Sequence, residues 1–308
     1  MGKISFLIPV YRNEGSLKLT FEKITTLFTG VLKEHSYEFV FIDDGSDDHS
    51  LDELLSIKQQ NTQIKILSLS RNFGQTTACI AGLKEVSGDA VVIMSADLQE
   101  PVELIINMVV EWQKGNEIII CQRENREDSL FATWTSKFFY GLIRLANPRM
   151  PKGGFDFYLL DRRAIDELNK FEEKNRFFQG DILWLGFGIK FLPYHRQKRT
   201  IGKSQWTISK KVKYFIDGVL NTSYIPIRIM SLLGMITSLI GFIYAVLIIY
   251  GRLFSKSSPF LGWAPIMVLI LIIGGLIMLM LGVIGEYIWR IYDEVRKRPH
   301  YIIKNKFL

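Results

Sequence analysis

The sequence predicts an α/β protein with a mostly parallel central sheet, followed by two C-terminal transmembrane helices. Three observations carry this. From Lys3 to Cys121, short apolar runs alternate with segments of helical spacing, the pattern of a sheet with helices on both faces. Polar clusters follow those apolar runs, where open α/β sheets place their ligands. Residues 229–251 and 257–285 carry no charge, and each run exceeds the roughly 20 apolar residues a helix needs to cross a bilayer.

The elements follow in order. Lys3 to Val10 is a first strand, closed by the polar turn Tyr11-Arg12-Asn13-Glu14. Ser16 to Leu32 carries Leu17, Phe21, Ile24, Leu27 and Phe28 at helical spacing. Tyr37 to Ile42 is a second strand and runs out into Asp43-Asp44-Gly45-Ser46-Asp47-Asp48. A helix over Leu51–Gln60 and a strand over Ile64–Leu69 come next. Arg71-Asn72-Phe73-Gly74-Gln75 then leads into a helix at 75–86. Ala90 to Met94 is a buried strand that releases Ser95-Ala96-Asp97-Leu98-Gln99-Glu100-Pro101 before a helix at 101–114. Glu117 to Cys121 is a further strand.

Right-handed crossovers put the strand carboxyl ends along one edge. Asp43-Asp44, Arg71-Asn72, Asp97-Gln99 and Arg123 should therefore converge on one cleft. Asp97 and Gln99 are candidate ligands for a divalent metal held against a nucleotide diphosphate; the plainer reading makes Asp97 a helix cap. Four converging polar ends favour a site.

Later segments are less regular. Phe131, Trp134, Phe138, Leu142 and Leu145 form a stripe at helical spacing, either core-packed or lying on a membrane surface. Asp156 sits among aromatics, where a carboxylate needs a strong partner such as a cation or metal. Residues 176–188 are apolar and Gly-rich, and 190–194 is a short strand. Residues 196–213 hold seven Lys/Arg and no acid. This segment could close over phosphates with Arg199, Lys203 and Ser204, or rest on anionic lipid as a juxtamembrane patch.

The chain has 308 residues, 48% of them hydrophobic, and a net charge of +7. That size suits one sizeable domain plus something smaller, and the charge suits an anionic partner. Cys79 and Cys121 have no metal-type spacing and lie in apolar surroundings, as buried thiols in a reducing compartment do. No signal peptide precedes the first strand. The expected organisation is a cytoplasmic domain at 1–210, a juxtamembrane linker at 211–227, spans at 228–250 and 263–287, and a basic tail at 288–308. Lys and Arg flank the outer ends of the two spans, which places both termini in the cytoplasm.

Taken together, Pro9-Val-Tyr-Arg-Asn-Glu14, Asp43-Asp-Gly-Ser-Asp-Asp48, Ser70-Arg-Asn-Phe-Gly-Gln75, Ala96-Asp-Leu-Gln-Glu-Pro101 and Arg199-Thr-Ile-Gly-Lys-Ser204 resemble glycosyltransferase family 2. More narrowly they are similar to its polyisoprenyl-phosphate glycosyltransferases, over essentially the whole chain. The resemblance implies a Rossmann-like GT-A fold and inverting transfer of a sugar from a nucleotide sugar, UDP-glucose first, to a polyprenyl phosphate such as undecaprenyl phosphate. That would make a lipid-linked sugar for the cell envelope at the bacterial cytoplasmic membrane. It implies that Pro9, Tyr11 and Glu14 hold base and ribose, that Asp43 with Asp44 beside it recognises the base, and that Asp97 and Gln99 bind Mg²⁺ or Mn²⁺. Arg123 would contact donor phosphate or sugar, with Arg71 also on the donor side. Asp156 would lie near sugar and acceptor, and Arg199 and Ser204 on the closing loop. Asp97, Asp156 and Arg199 are then the catalytic candidates. No nucleic acid is implied, and a homo-oligomer is, with Gly282 and Gly285 as a packing feature. Where that family usually has Asp-X-Asp, this chain has Ser95-Ala96-Asp97, so the metal would rest on Asp97, Gln99 and the diphosphate. Readings to be tested against this are GDP-mannose or a modified sugar as donor, a polysaccharide synthase, and a non-catalytic nucleotide-sugar-binding scaffold.

Overall fold

The computed structural model describes residues 2–123, 141, 143–144, 147–151, 153–197, 217–218, 220, 225–254 and 264–308. The described residues form two units, 1–221 with 299–308, and 222–298. The predicted helix around 129–147 and the loop residues Arg199, Lys203 and Ser204 lie largely or wholly outside the described residues.

The first unit is built on one eight-stranded sheet. Its strands are β1 Lys3–Val10, β2 Ser36–Asp43, β3 Ile64–Leu69, β4 Ala90–Ile93, β5 Ile118–Arg123, β6 Phe157–Asp161, β7 Ile189–Tyr194 and β8 Ile303–Phe307, in the order β7-β5-β6-β4-β1-β2-β3-β8. The helices are α1 Leu17–Thr29, α2 Ser50–Gln59, α3 Gln75–Leu83, α4 Leu104–Gln113, α5 Arg162–Leu168 and α6 Phe178–Trp184. The central strands are largely buried on both faces, and their predominantly apolar sequences reflect it. One layer of core packs α1, α2 and α4 through Leu17, Phe21, Leu54 and Ile105; the other packs α3, α5 and α6 through Ala78, Leu83, Ile165 and Ile182.

The sheet is mostly parallel, as the sequence predicts, with two strands reversed. β1, β2, β3 and β4 pair in parallel, as do β5 and β7, but β6 runs antiparallel to both β4 and β5, and β8 antiparallel to β3. Reversing β6 has a useful effect. Its amino end, rather than its carboxyl end, meets the ligand edge, so Asp156 arrives beside Arg123 at the end of β5. Residues 176–188, which have no clear sequence periodicity, contain α6.

The basic stretch 288–308 was expected as a tail. It contains the last turns of a long helix, to Val295, and then β8. Five residues are enough for an edge strand when a neighbour already exists to pair with.

The second unit holds α7 Ile225–Phe254 and α8 Ala264–Val295, which pack on each other. Pro226–Tyr250 and Ile266–Val295 are long and apolar enough to cross a membrane, and the chain itself buries none of their apolar core stretches. Both helices extend past the predicted spans. An added Cβ at Gly282 or Gly285 would meet nothing within 4 Å among the described residues, so these glycines pack against none of them.

Candidate active site

The carboxyl edge of the sheet carries three adjacent groups of polar side chains. The first lies beyond β2 and β3. Asp43 and Asp44 are both buried, at 1% and 2% exposure. Asp43 Oδ1 accepts from Ser46 N at 3.0 Å, and Oδ2 from Ser68 Oγ at 2.9 Å. Asp44 accepts from Phe73 N at 2.7 Å and Gly74 N at 2.8 Å. Asp44 thus clamps the turn after β3, a role its sequence position does not advertise. Gly45 makes the clamp possible. Its φ is +67°, and a Cβ there would sit 2.5 Å from the Arg71 backbone carbon. Arg71 is exposed and stacks its guanidinium 4.1 Å from the centroid of the Phe73 ring, which holds a cation at the rim.

The turn after β1 borders this group. Pro9 lies beyond the stretch of β1 that pairs with β4, Ile4 to Leu7, so its missing N–H breaks no ladder on that side. Tyr11 N donates to Asn13 Oδ1 at 2.9 Å, and Arg12, at φ +54°, forms a bidentate pair with Asp47 at 2.6 and 2.5 Å. Glu14 accepts from His49 N at 3.4 Å, at the start of α2.

The second group follows β4. Ser95 Oγ donates to Asp97 Oδ1 at 2.8 Å and also contacts Glu100 Oε2. Asp97 Oδ1 accepts from Gln99 N at 3.2 Å as well. Leu98, between them, has φ +55°, a costly conformation for a residue with a γ-branched side chain, and such strain gathers at functional sites. From the neighbouring helix, Ser16 Oγ donates to the Ala96 carbonyl at 2.8 Å and fixes the turn from below. Glu100 is 1% exposed, and its Oε1 has no hydrogen-bond partner. Burial, and then the neighbouring Asp97 charge, push its carboxyl up to about 7. Sequence reasoning missed Glu100 because a Glu before Pro at a helix start reads as ordinary capping.

Gln99 serves the next segment of chain. Its amide oxygen accepts from Arg196 Nη2 at 2.6 Å, its Nε2 donates to the Gln197 carbonyl at 3.3 Å, and its own carbonyl accepts from Gln197 N at 2.9 Å. The start of the basic segment is therefore stitched to the Asp97 turn.

The third group joins β5, β6 and β7. Arg123 Nη2 donates to Asp156 Oδ2 at 2.7 Å, and Arg123 Nε to the Tyr194 hydroxyl at 3.1 Å. Gln179 Nε2 donates to the Phe155 carbonyl at 2.5 Å and to Asp156 Oδ1 at 3.3 Å. Asp156 has the strong partner its aromatic neighbours demand, and that partner is Arg123. Burial opposes the charge on Arg123, but Asp156 and Tyr194 outweigh it and raise its pKa. Burial also lifts Tyr194 to about 12, so it stays a neutral hydroxyl. The Asp156 side chain remains 45% exposed, so it still faces the cleft.

Among the described residues no cluster of three or more His, Cys, Asp or Glu side chains forms a ready-made metal cage. The donor chemistry nonetheless fits a hard cation. Two buried carboxylates flank one hydroxyl, and one of their oxygens is orphaned. The Gln99 oxygen already accepts from Arg196, so a cation there would take its second lone pair.

The family described as Glycosyl transferase family 2 matches residues 5–185. The uncharacterized glycosyltransferase YkcC of Bacillus subtilis (strain 168) is 35% identical over 98% of this chain and 94% of its own length. The putative glycosyltransferase CsbB of the same organism is 36% identical over 98% and 92%. The bactoprenol glucosyl transferase of Shigella phage SfV is 32% identical over 99% of each chain.

Proposed function

The chain belongs to glycosyl transferase family 2 and is a glycosyltransferase, and from that premise we propose that it moves a sugar from a nucleotide sugar to a polyprenyl phosphate at a membrane surface. We take UDP-glucose as donor and undecaprenyl phosphate as acceptor, at the cytoplasmic face of a bacterial inner membrane. The likeness to a bactoprenol glucosyl transferase over 99% of both chains supports the lipid acceptor and the glucosyl group. The observation that carries the reading is the shared edge: Arg71, the Asp97 turn and the Arg123–Asp156 pair all lie at it.

The chemistry needs little acid–base help. A phosphate monoester has a second pKa of about 6, so the acceptor is largely dianionic at neutral pH. One of its oxygens bonds to the anomeric carbon as the bond to the nucleoside diphosphate breaks, with inversion and no net proton transfer. The residues must then bring two anions together and receive the charge that develops on the leaving group. Arg71 at the rim suits a diphosphate. Arg123 suits a sugar or phosphate oxygen, and Asp156, with one oxygen on Arg123 and the other on Gln179, suits a hydrogen-bond acceptor for sugar hydroxyls. Arg199, Lys203 and Ser204 are the proposed phosphate contacts of the loop that begins at Arg196. Mg²⁺ or Mn²⁺, held through Asp97 with Gln99 or Glu100, would supply Lewis-acid stabilisation of the diphosphate when bound.

The membrane assignment has a topological support. Residues 222–298 are an insertion whose two ends both rejoin the catalytic unit. A two-span hairpin with both ends on one side satisfies that connectivity, and the flanking Lys and Arg favour the cytoplasmic side. Membranes containing the full chain, given radiolabelled UDP-glucose and undecaprenyl phosphate, should yield labelled lipid. No labelled lipid with any UDP-, GDP- or TDP-sugar would overturn the proposal.

A further inference from the structure

β8 sits where a mere tail would not. Its register with β3 runs Ile66↔Phe307, Leu67↔Lys306, Ser68↔Asn305 and Leu69↔Ile303, with Lys304 as the extra residue of a bulge opposite Ser68 and Leu69. The ladder then continues into the candidate active site, because Ser70 N donates to the Ile302 carbonyl at 2.9 Å. The next residue is Arg71. Ser68, paired with Asn305, is also the residue whose hydroxyl holds Asp43. Through β3, the C-terminal strand therefore backs both anchors of the first polar group, Asp43 and the turn that Asp44 clamps.

The bulge has a packing reason. Ile303 and Phe307 are four residues apart and would share one face of a regular strand. Lys304 shifts the parity, and the two side chains pack on opposite core layers, Ile303 with the layer of Leu69 and Phe307 with the layer of Ile66. Lys306 fixes the outer edge through Glu85 at 2.8 Å. A five-residue strand is thus pinned on two faces and one edge. That is more restraint than an edge strand needs merely to blunt aggregation.

We propose that β8 is a positioning element of the nucleotide-sugar site: it sets the Ser70–Gly74 turn and the Asp43 carboxylate through β3, so that donor affinity depends on residues 302–308, which follow the second apolar helix. This rests on the donor-site reading above. It predicts that loss of β8 acts on donor binding far more than on the chemical step, since Asp97, Arg123 and Asp156 lie on other strands.

The test uses the full chain in nanodiscs, a truncation ending at Tyr301, and an Ile303→Asp variant, with UDP as the binding probe. Ile303→Asp keeps the strand's length but sets a charge against the core layer of Leu69, which undocks the strand from β3. Both variants should weaken UDP binding and raise the donor KM by about tenfold or more, with kcat at saturating donor within about threefold. A synthetic peptide of residues 299–308 added to the truncated chain should restore UDP affinity, which general destabilisation would not permit. UDP affinity within about twofold of the unaltered chain in both variants overturns the proposal, as does a truncated chain whose weakened binding the peptide fails to restore. If the unaltered chain binds neither UDP nor GDP, the donor-site reading itself fails, and this inference fails with it.

Discussion

Arg123 and Asp156 are 33 residues apart in sequence and meet at 2.7 Å, because β6 runs against β5 and delivers its amino end to that strand's carboxyl end. Burial opposes the Arg123 charge, but the neighbouring Asp156 outweighs it and holds the guanidinium protonated. Arg123→Ala leaves Asp156 with Gln179 as its remaining side-chain donor, and we expect kcat/KM for sugar transfer to fall by roughly 10²–10³. Arg123→Lys keeps the charge but loses the fork that serves Asp156 and Tyr194 together, and should recover only part of that loss. Steady-state kinetics with the labelled-lipid assay checks both.

Asp97→Asn removes the charge at the buried centre of the site and keeps the shape. Activity should fall by about 10²-fold or more. Mn²⁺ binding followed by electron paramagnetic resonance should weaken in parallel. Full activity in this variant would sink the assignment of Asp97 as a metal ligand.

Asp44→Ala strips the acceptors from two backbone amides in a half-buried turn. Leaving such donors unpaired costs on the order of 1–3 kcal/mol each. Thermal unfolding should shift down by several degrees, and the donor KM should rise, because Arg71 rides on that turn.

Gly45→Ala should be worse than its size suggests. The new methyl group meets the Arg71 backbone, which cannot swing aside as a side-chain tip can, and the positive φ adds its own strain. A loss of about 2 kcal/mol or more is expected, read as a lowered unfolding midpoint.

Glu100 links stability to pH. Its folded pKa of about 7 lies above the ordinary 4.5, so between those values the folded state binds more protons than the unfolded state. Stability contributed by the neutral carboxyl is intact below about 4.5 and declines as pH rises to about 7, by on the order of 2–3 kcal/mol. Unfolding midpoints measured in chelator across pH 5–7 should fall for the unaltered chain. The decline should flatten in Glu100→Gln, whose amide does not titrate. An identical slope in both would assign the dependence to another group.

The strands of the first half were legible because burial on both faces leaves an unbroken apolar run with polar residues at each end. Direction was not legible. Phe157 to Leu160 is a short apolar run, and nothing in its periodicity tells that it enters the sheet backwards. The edge that collects Asp43, Asp44, Arg71, Asp97 and Arg123 followed from strand order alone. Their tasks did not, since Asp44 spends both oxygens on backbone amides and Gln99 gives its amide oxygen to Arg196. Glu100, Tyr194 and Gln179 gave no signal, because each matters only through a neighbour far away in sequence. β8 was hidden by its lysines, which mark an edge strand as readily as a solvated tail.

The insertion of 222–298 between parts of one sheet fixes an order of events in biogenesis. β3 is made early, but its outer partner β8 emerges only after both apolar helices. Until then β3 exposes an unpaired edge on the nascent chain. The sheet of the first unit is therefore completed only on chains that have already made both long apolar helices.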